Sequence, residues 1–173
     1  MNPHICAIIF VLRLKELIKI KDDTVKRFAR LSLPLYAELP SLNLYMDQVI
    51  DEVNQFLVPL TETKITKSMI NSYVKQGLVD RPEKKRYSKQ HLAEILVVSL
   101  MKPILSLDTI KKAIAIALKL DPVDKAYDQF IHAFNDELTK TQSQHLNAEN
   151  YQRMAIRSLL YKLLVEEMVN KDL

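Results

Sequence analysis

Thr66-Lys67-Ser68-Met69-Ile70-Asn71-Ser72-Tyr73-Val74-Lys75-Gln76-Gly77-Leu78-Val79, followed by Asp80-Arg81-Pro82-Glu83-Lys84-Lys85-Arg86-Tyr87, is the stretch from which the rest of the chain can be read. Thr66 has the chemistry of a helix N-cap, because its hydroxyl can accept from the free amides of a first turn. Met69, Ile70, Tyr73 and Val74 recur at three- and four-residue spacing and form one apolar face. Lys67, Ser68, Asn71, Ser72 and Lys75 fall on the other side. Gly77 is the only glycine of the protein and stands where a left-handed C-cap belongs. The spacing therefore predicts a short helix with a small, polar and cationic outer face, then a basic hairpin. That is the layout of a recognition helix and its wing.

Upstream, Met46, Ile50, Val53 and Leu57 predict a one-faced helix from about Tyr45 to Leu57. Pro59 is expected to end it, leaving Val58 to Lys64 as a loop. Downstream, Ser88 is placed to start a helix through Met101, in which Leu92, Ile95, Leu96, Val97, Val98 and Leu100 face most directions. A helix apolar nearly all round belongs at the centre of a fold. Pro103 stops it, and Ser106 or Asp108 caps the next, with Ile110, Ala113, Ile114 and Ala117 turned inward and Asp121-Pro122 closing it.

Ile70 to Val79, Arg86-Tyr87-Ser88 and Leu105-Ser106-Leu107-Asp108-Thr109-Ile110, in that order, resemble the winged helix-turn-helix head of mercury-resistance-type (MerR) regulators. Asn71 and Ser72 stand where those regulators carry Arg and Tyr. Leu39-Pro40 with Leu44-Tyr45-Met46-Asp47-Gln48, and Ile65 to Asn71, are more closely similar to a bacterial family known as domain of unknown function 1836. The match runs from about Leu35 to Leu120. The closer family implies no activity. A single glycine and long runs of good helix formers argue for an all-α fold. The looser resemblance implies a winged helix-turn-helix (MerR-like) head with a small β wing, and a C-terminal helical hairpin is expected after it.

Composition narrows the function classes. One glycine leaves no phosphate-cradling loop and no dinucleotide fingerprint, which need several. Cys6 alone excludes an intramolecular disulfide framework, and it has no obvious base beside it. The four histidines fall in no His-Glu-x-x-His arrangement. His91 with Glu94, and Asp124, Asp128 and His132, have spacings that could meet a metal, but capping or a solvated face explains both more simply. The expectation is a protein that is not an enzyme, uses no cofactor and resides in the cytoplasm.

The net charge of +4 is unevenly spread. From Lys64 to Lys89 there are eight basic residues against Asp80 and Glu83, a net of +6, so the remainder of the chain is at −2. Clustered Lys and Arg beside a groove-sized helix is the electrostatic footprint of polyanion binding. The expected DNA-binding residues are Thr66, Lys67, Ser68, Asn71, Ser72 and Lys75 on the helix, with Lys84, Lys85 and Arg86 on the wing. Small polar groups let a helix approach the major-groove floor, and Asn can pair with an adenine edge. Arg86 could also hold the wing to the recognition helix.

Beyond the head (residues 34–121) lie an N-terminal extension (1–33) and a C-terminal region (122–173). Ile5 to Leu12 is apolar but far shorter than the ~20 residues a membrane-spanning helix needs, and no membrane partner is expected. The C-terminal region predicts helices from about Val123 to Thr141 and Ala148 to Asn170. Ile156, Leu159, Leu160, Leu163, Leu164, Met168 and Val169 make too wide a stripe for one neighbour. A homodimer through these helices is expected, or packing back on the head with the N-terminal run. The functional expectation is a sequence-specific transcriptional regulator of double-stranded DNA. Its alternative is a winged-helix protein-interaction module that does not bind DNA.

Overall fold

The computed structural model describes residues 26–28, 30–142 and 148–171. The architecture is all-helical: a 3-10 turn, Tyr36–Glu38, precedes α1 (Met46–Thr61), α2 (Lys67–Lys75), α3 (Lys89–Met101), α4 (Leu107–Leu120), α5 (Val123–Gln142) and α6 (Ala148–Lys171). The expectations for Ile5 to Leu12 and Cys6 lie outside the described residues.

α3 is the hub. Its His91, Leu92, Ala93, Ile95, Leu96, Val98 and Ser99 are all buried, so its apolar residues point nearly all round and have neighbours to meet. α1, α4 and α5 pack on it, and α2 packs on α1. One cluster runs through Val49, Val53 and Leu57 of α1, Ile70 and Tyr73 of α2, Ile95 and Val98 of α3, Ile110 of α4, and Tyr127 and Ile131 of α5. The inward face of α1 is thus Val49, Val53 and Leu57, with Met46 and Ile50 at its border. α5 is tied to the entry segment by polar bonds as well. Tyr127 Oη donates to the Pro34 carbonyl (3.0 Å), Asp128 Oδ1 accepts from the Tyr36 amide (2.6 Å), and Asn135 exchanges two bonds with the Leu33 backbone.

Two expectations need correction. Pro59 does not end α1, which continues to Thr61. A proline near the C-terminal end removes one bond, the one to the Gln55 carbonyl, and packing of Leu57 and Leu60 against the core outweighs it. The helix stops instead at Glu62, which takes a left-handed conformation (φ 58°) and donates its amide to the Val58 carbonyl. The connection to α2 is therefore shorter than the Val58-to-Lys64 loop expected. Second, no strand is present among the described residues where a small β wing was expected. The hairpin is reduced to two isolated antiparallel bridges, Glu83 with Arg86 and Leu44 with Tyr87. Pro82 has no amide to give a ladder on one arm, and the two-residue tip leaves little length for one.

Among the described residues no helix is long and apolar enough to cross a membrane.

Candidate nucleic-acid interface

α2 is fixed at both ends by bonds its own sequence specifies. Thr66 is the N-cap, and its Oγ1 accepts from the Met69 amide at 3.4 Å. At the other end Gly77 (φ 68°) takes the left-handed position. Its amide donates to the Val74 carbonyl (3.1 Å) and the Leu78 amide to the Tyr73 carbonyl (3.0 Å), the two bonds of a Schellman motif. Leu78 and Tyr73, both buried, supply the apolar contact that accompanies it.

Two side chains from other helices then clamp this unit. Asn54 of α1 accepts from the Ile65 amide (2.8 Å) and donates to the Ile65 carbonyl (3.3 Å), which sets the backbone just before the N-cap. Lys111 of α4 donates to the Gln76 carbonyl (2.9 Å) at the C-terminal end. A lysine there also meets the negative end of the helix dipole. A Cβ at position 77 would lie 3.2 Å from Lys111 Nζ, so the glycine makes room for the clamp as well as supplying the positive φ. Neither clamp was anticipated from sequence. A polar residue beside the apolar stripe of α1 was the available signal for Asn54. Lys111 carried none, since its partner is 35 residues away.

The expected contact residues of α2 lie on its outer side. Thr66, Lys67, Ser68, Asn71 and Lys75 are exposed. Ser72 is half-buried, and its Oγ accepts from Gln76 Nε2 (2.9 Å). The wing residues are exposed as well, but they divide. Lys84 and Lys85 form the tip, both left-handed (φ 49° and 64°) between the bridged Glu83 and Arg86. Two successive positive φ values are the mark of a type I′ turn, where Asn-Gly is the favoured pair. Arg86 is held: its Nη2 donates to Tyr45 Oη (2.7 Å), its guanidinium lies 4.1 Å from the centre of the Tyr45 ring, and Nη1 reaches the Asn43 carbonyl (3.4 Å). It secures the hairpin to the segment before α1, not to α2.

None of the eight basic residues from Lys64 to Lys89 forms an ion pair with an acid among the described residues. Lysines elsewhere do: Lys112 with Asp108, Lys140 with Glu137, Lys162 with Glu166 and Lys171 with Glu167. Behind the hairpin a small network closes the exit of α2. The Asp80 amide donates to Glu94 Oε2 (3.1 Å), and Gln90 Nε2 bridges Glu94 Oε1 (2.8 Å) and Asp80 Oδ2 (3.3 Å). Burial raises the Glu94 carboxyl above its ordinary range, against these two hydrogen bonds. His91, one of the metal-spaced pair, is a capping residue: its Nδ1 accepts from the Ser88 amide at 3.0 Å. No group of three metal-ligating side chains occurs among the described residues.

No curated protein and no solved structure matches the chain. The family model described as "Domain of unknown function (DUF1836)" matches residues 34–130, from the entry segment through the first turns of α5. That is more than half of the sequence, and the chain belongs to this family.

Proposed function

We propose that this protein is a sequence-specific, double-stranded DNA-binding transcriptional regulator with a winged helix-turn-helix head of MerR-like type. α1 and α2 are the helix-turn-helix pair, α2 enters the major groove, and the Lys84-Lys85 tip touches phosphate. The observation that carries this reading is the cationic stretch: eight basic residues at net +6, none ion-paired with an acid among the described residues. A merely solvated face needs no such exclusion of acids. The conformation of the tip supports it, since lysines occupy two left-handed positions where Asn-Gly would be less strained. On DNA, Lys67 and Lys75 would flank the helix toward phosphates, which positions without specifying. Asn71, with Ser68 beside it, would read base edges.

The regulator acts as a cytoplasmic homodimer in this reading. On α6 Ile156, Leu159, Leu160, Leu163, Leu164 and Met168 are 50–63% exposed and fall on one half of the helix surface. Arg153 and Glu167 lie on the same face, seven residues to either side of Leu160. Two copies of α6 paired antiparallel about Leu160 would put each Arg153 against the partner's Glu167. A parallel pair would set like charges together. Such an isologous contact is the common form of a two-fold dimer, and it would set the spacing of the two recognition helices to one helical turn of DNA or a multiple. A charge swap tests it in sedimentation: Arg153→Glu should weaken the dimer, and adding Glu167→Arg should restore it. A single-site variant that leaves the dimer untouched refutes the register.

The second reading, an interaction module that uses the apolar face of α6 on another protein, rests on the same exposed residues. Fluorescence anisotropy with a mixed-sequence duplex separates the two. Affinity that falls steeply with salt supports DNA binding. No binding at low salt refutes it and leaves the module.

A further inference from the structure

α3, α4 and α5 do not close against one another. Between them, with Val165 of α6 at the border, is an apolar cavity of about 230 Å³. It exists because Ala93, Ala113 and Ala126 stand at wall positions where larger side chains would fill the space. The cavity is half open to solvent rather than sealed, so an apolar guest can enter it and displace water from its apolar walls. Phe130 supplies an aromatic wall. One charged residue is among those lining the cavity, Glu94. Each of its oxygens accepts one hydrogen bond, from the Asp80 amide and from Gln90, and a carboxylate oxygen can accept two. A carboxylate with acceptor capacity left thus borders a wall that is otherwise almost wholly apolar.

We propose that this cavity binds a compact lipophilic ammonium ion, its apolar body among the alanines and Phe130 and its ammonium group on the Glu94 carboxylate. The size follows by proportion. An engineered cavity of ~150 Å³ holds benzene, so this one suits a body of about nine non-hydrogen atoms. A neutral guest of the same shape would gain the apolar contacts alone. An anion would meet Glu94 with like charge in a poorly solvated place. The site stands independently of the DNA-binding reading, and either can fail without the other.

Isothermal titration calorimetry of the full chain at neutral pH tests it with three probes of one shape: 2-phenylethylammonium, 2-phenylethanol and phenylacetate. The expected order places the ammonium about tenfold tighter than the alcohol, the scale of a hydrogen bond to a charged group, and phenylacetate weakest. Glu94→Gln should bring the ammonium to the affinity of the alcohol while the alcohol still binds, which shows that the cavity has survived. Ala126→Leu should abolish all three by filling the space, with circular dichroism verifying that both variants fold. Phenylacetate binding as well as the ammonium, or a tenfold preference persisting in Glu94→Gln, overturns the proposal. So does the absence of heat with every probe at millimolar concentration, in which case a second copy or another part of the chain fills the cavity.

Discussion

Replacing Lys67 and Lys75 by alanine together is the sharpest perturbation of the proposed interface. Both side chains are exposed and neither is ion-paired among the described residues. Alanine is also the better helix former, so α2 should be no less stable. The effect on DNA can be worked from charge. If Lys67, Lys75, Lys84 and Lys85 each neutralise one phosphate, the logarithm of affinity per protomer falls with the logarithm of salt at a slope of about −3.6. Between 50 and 200 mM salt that is a loss of roughly 150-fold, and the double variant, with two contacts left, should lose only about 12-fold over the same range. Its affinity should drop on every duplex alike, because phosphate contacts carry no sequence. Asn71→Ala should do the converse, leaving the slope intact and flattening the preference between sequences.

The assay is fluorescence anisotropy of a labelled duplex titrated at four or five salt concentrations, with thermal melting of each variant as the control for folding. A slope unchanged within error in the double variant refutes the reasoning, because it means that these lysines face solvent in the complex as they do in the free protein.

Asn54→Ala should cost about 2–4 kcal/mol, since two bonds to the Ile65 backbone are lost together. Urea unfolding would show it, and a change below half a kcal/mol would mean that the loop before α2 holds itself. Replacing Lys84-Lys85 by Asn-Gly should stabilise the protein by about 1–2 kcal/mol through relief of two left-handed lysines, while lowering DNA affinity as the loss of two phosphate contacts would. Stability and affinity moving the same way would refute the tip's proposed role. Tyr127→Phe removes the bond to the Pro34 carbonyl and should cost about 1 kcal/mol at neutral pH. Burial raises the Tyr127 phenol well above its usual range. Below pH ~10 neither state loses the proton and the contribution is flat; above it the unfolded chain ionises while the folded one stays protonated, so stability falls with rising pH. Urea midpoints measured between pH 8 and 11.5 should decline less steeply in the variant.

What was legible in the sequence was what is decided locally. Thr66, Gly77 and the apolar spacing between them specify α2 without reference to anything distant, and Ser88, Ser106 and Asp121 mark helix ends for the same reason. The all-round apolar character of α3 placed it at the centre, and it is there. Pro59 misled because a rule of local chemistry met a tertiary contact: the loss of one backbone bond was outweighed by burial of Leu57 and Leu60. The hairpin misled in the other direction, since Lys84-Lys85 gives no glycine or asparagine to signal a two-residue tip. Long-range partners were invisible by their nature. Tyr45 is 41 residues from Arg86, and Lys111 is 35 from Gln76. The cavity belongs to this class, because an alanine among good helix formers gives no sign of which neighbours it will fail to touch.

Two of those invisible contacts bear on how the head could respond to a guest. The C-terminal end of α2 is held at the Gln76 carbonyl by Lys111, and the chain just beyond it is held at the Asp80 amide by Glu94. Lys111 rises from α4 and Glu94 from α3, the helices that form two walls of the cavity. A cation on Glu94 would share the carboxylate with the Asp80 amide and weaken that bond, and an apolar body between α3 and α4 would bear on the spacing that Lys111 spans. Both ties end within five residues of Lys75, one of the two helix lysines proposed for phosphate. Coupling between guest and DNA therefore needs no movement transmitted through the core, only a change in two hydrogen bonds. By reciprocity the duplex must then alter the affinity of 2-phenylethylammonium by the same factor that the ammonium alters that of DNA. Glu94→Gln should remove the share of the coupling that runs through this carboxylate and leave only the share that runs through Lys111, and coupling undiminished in that variant would show that Glu94 has no part in it.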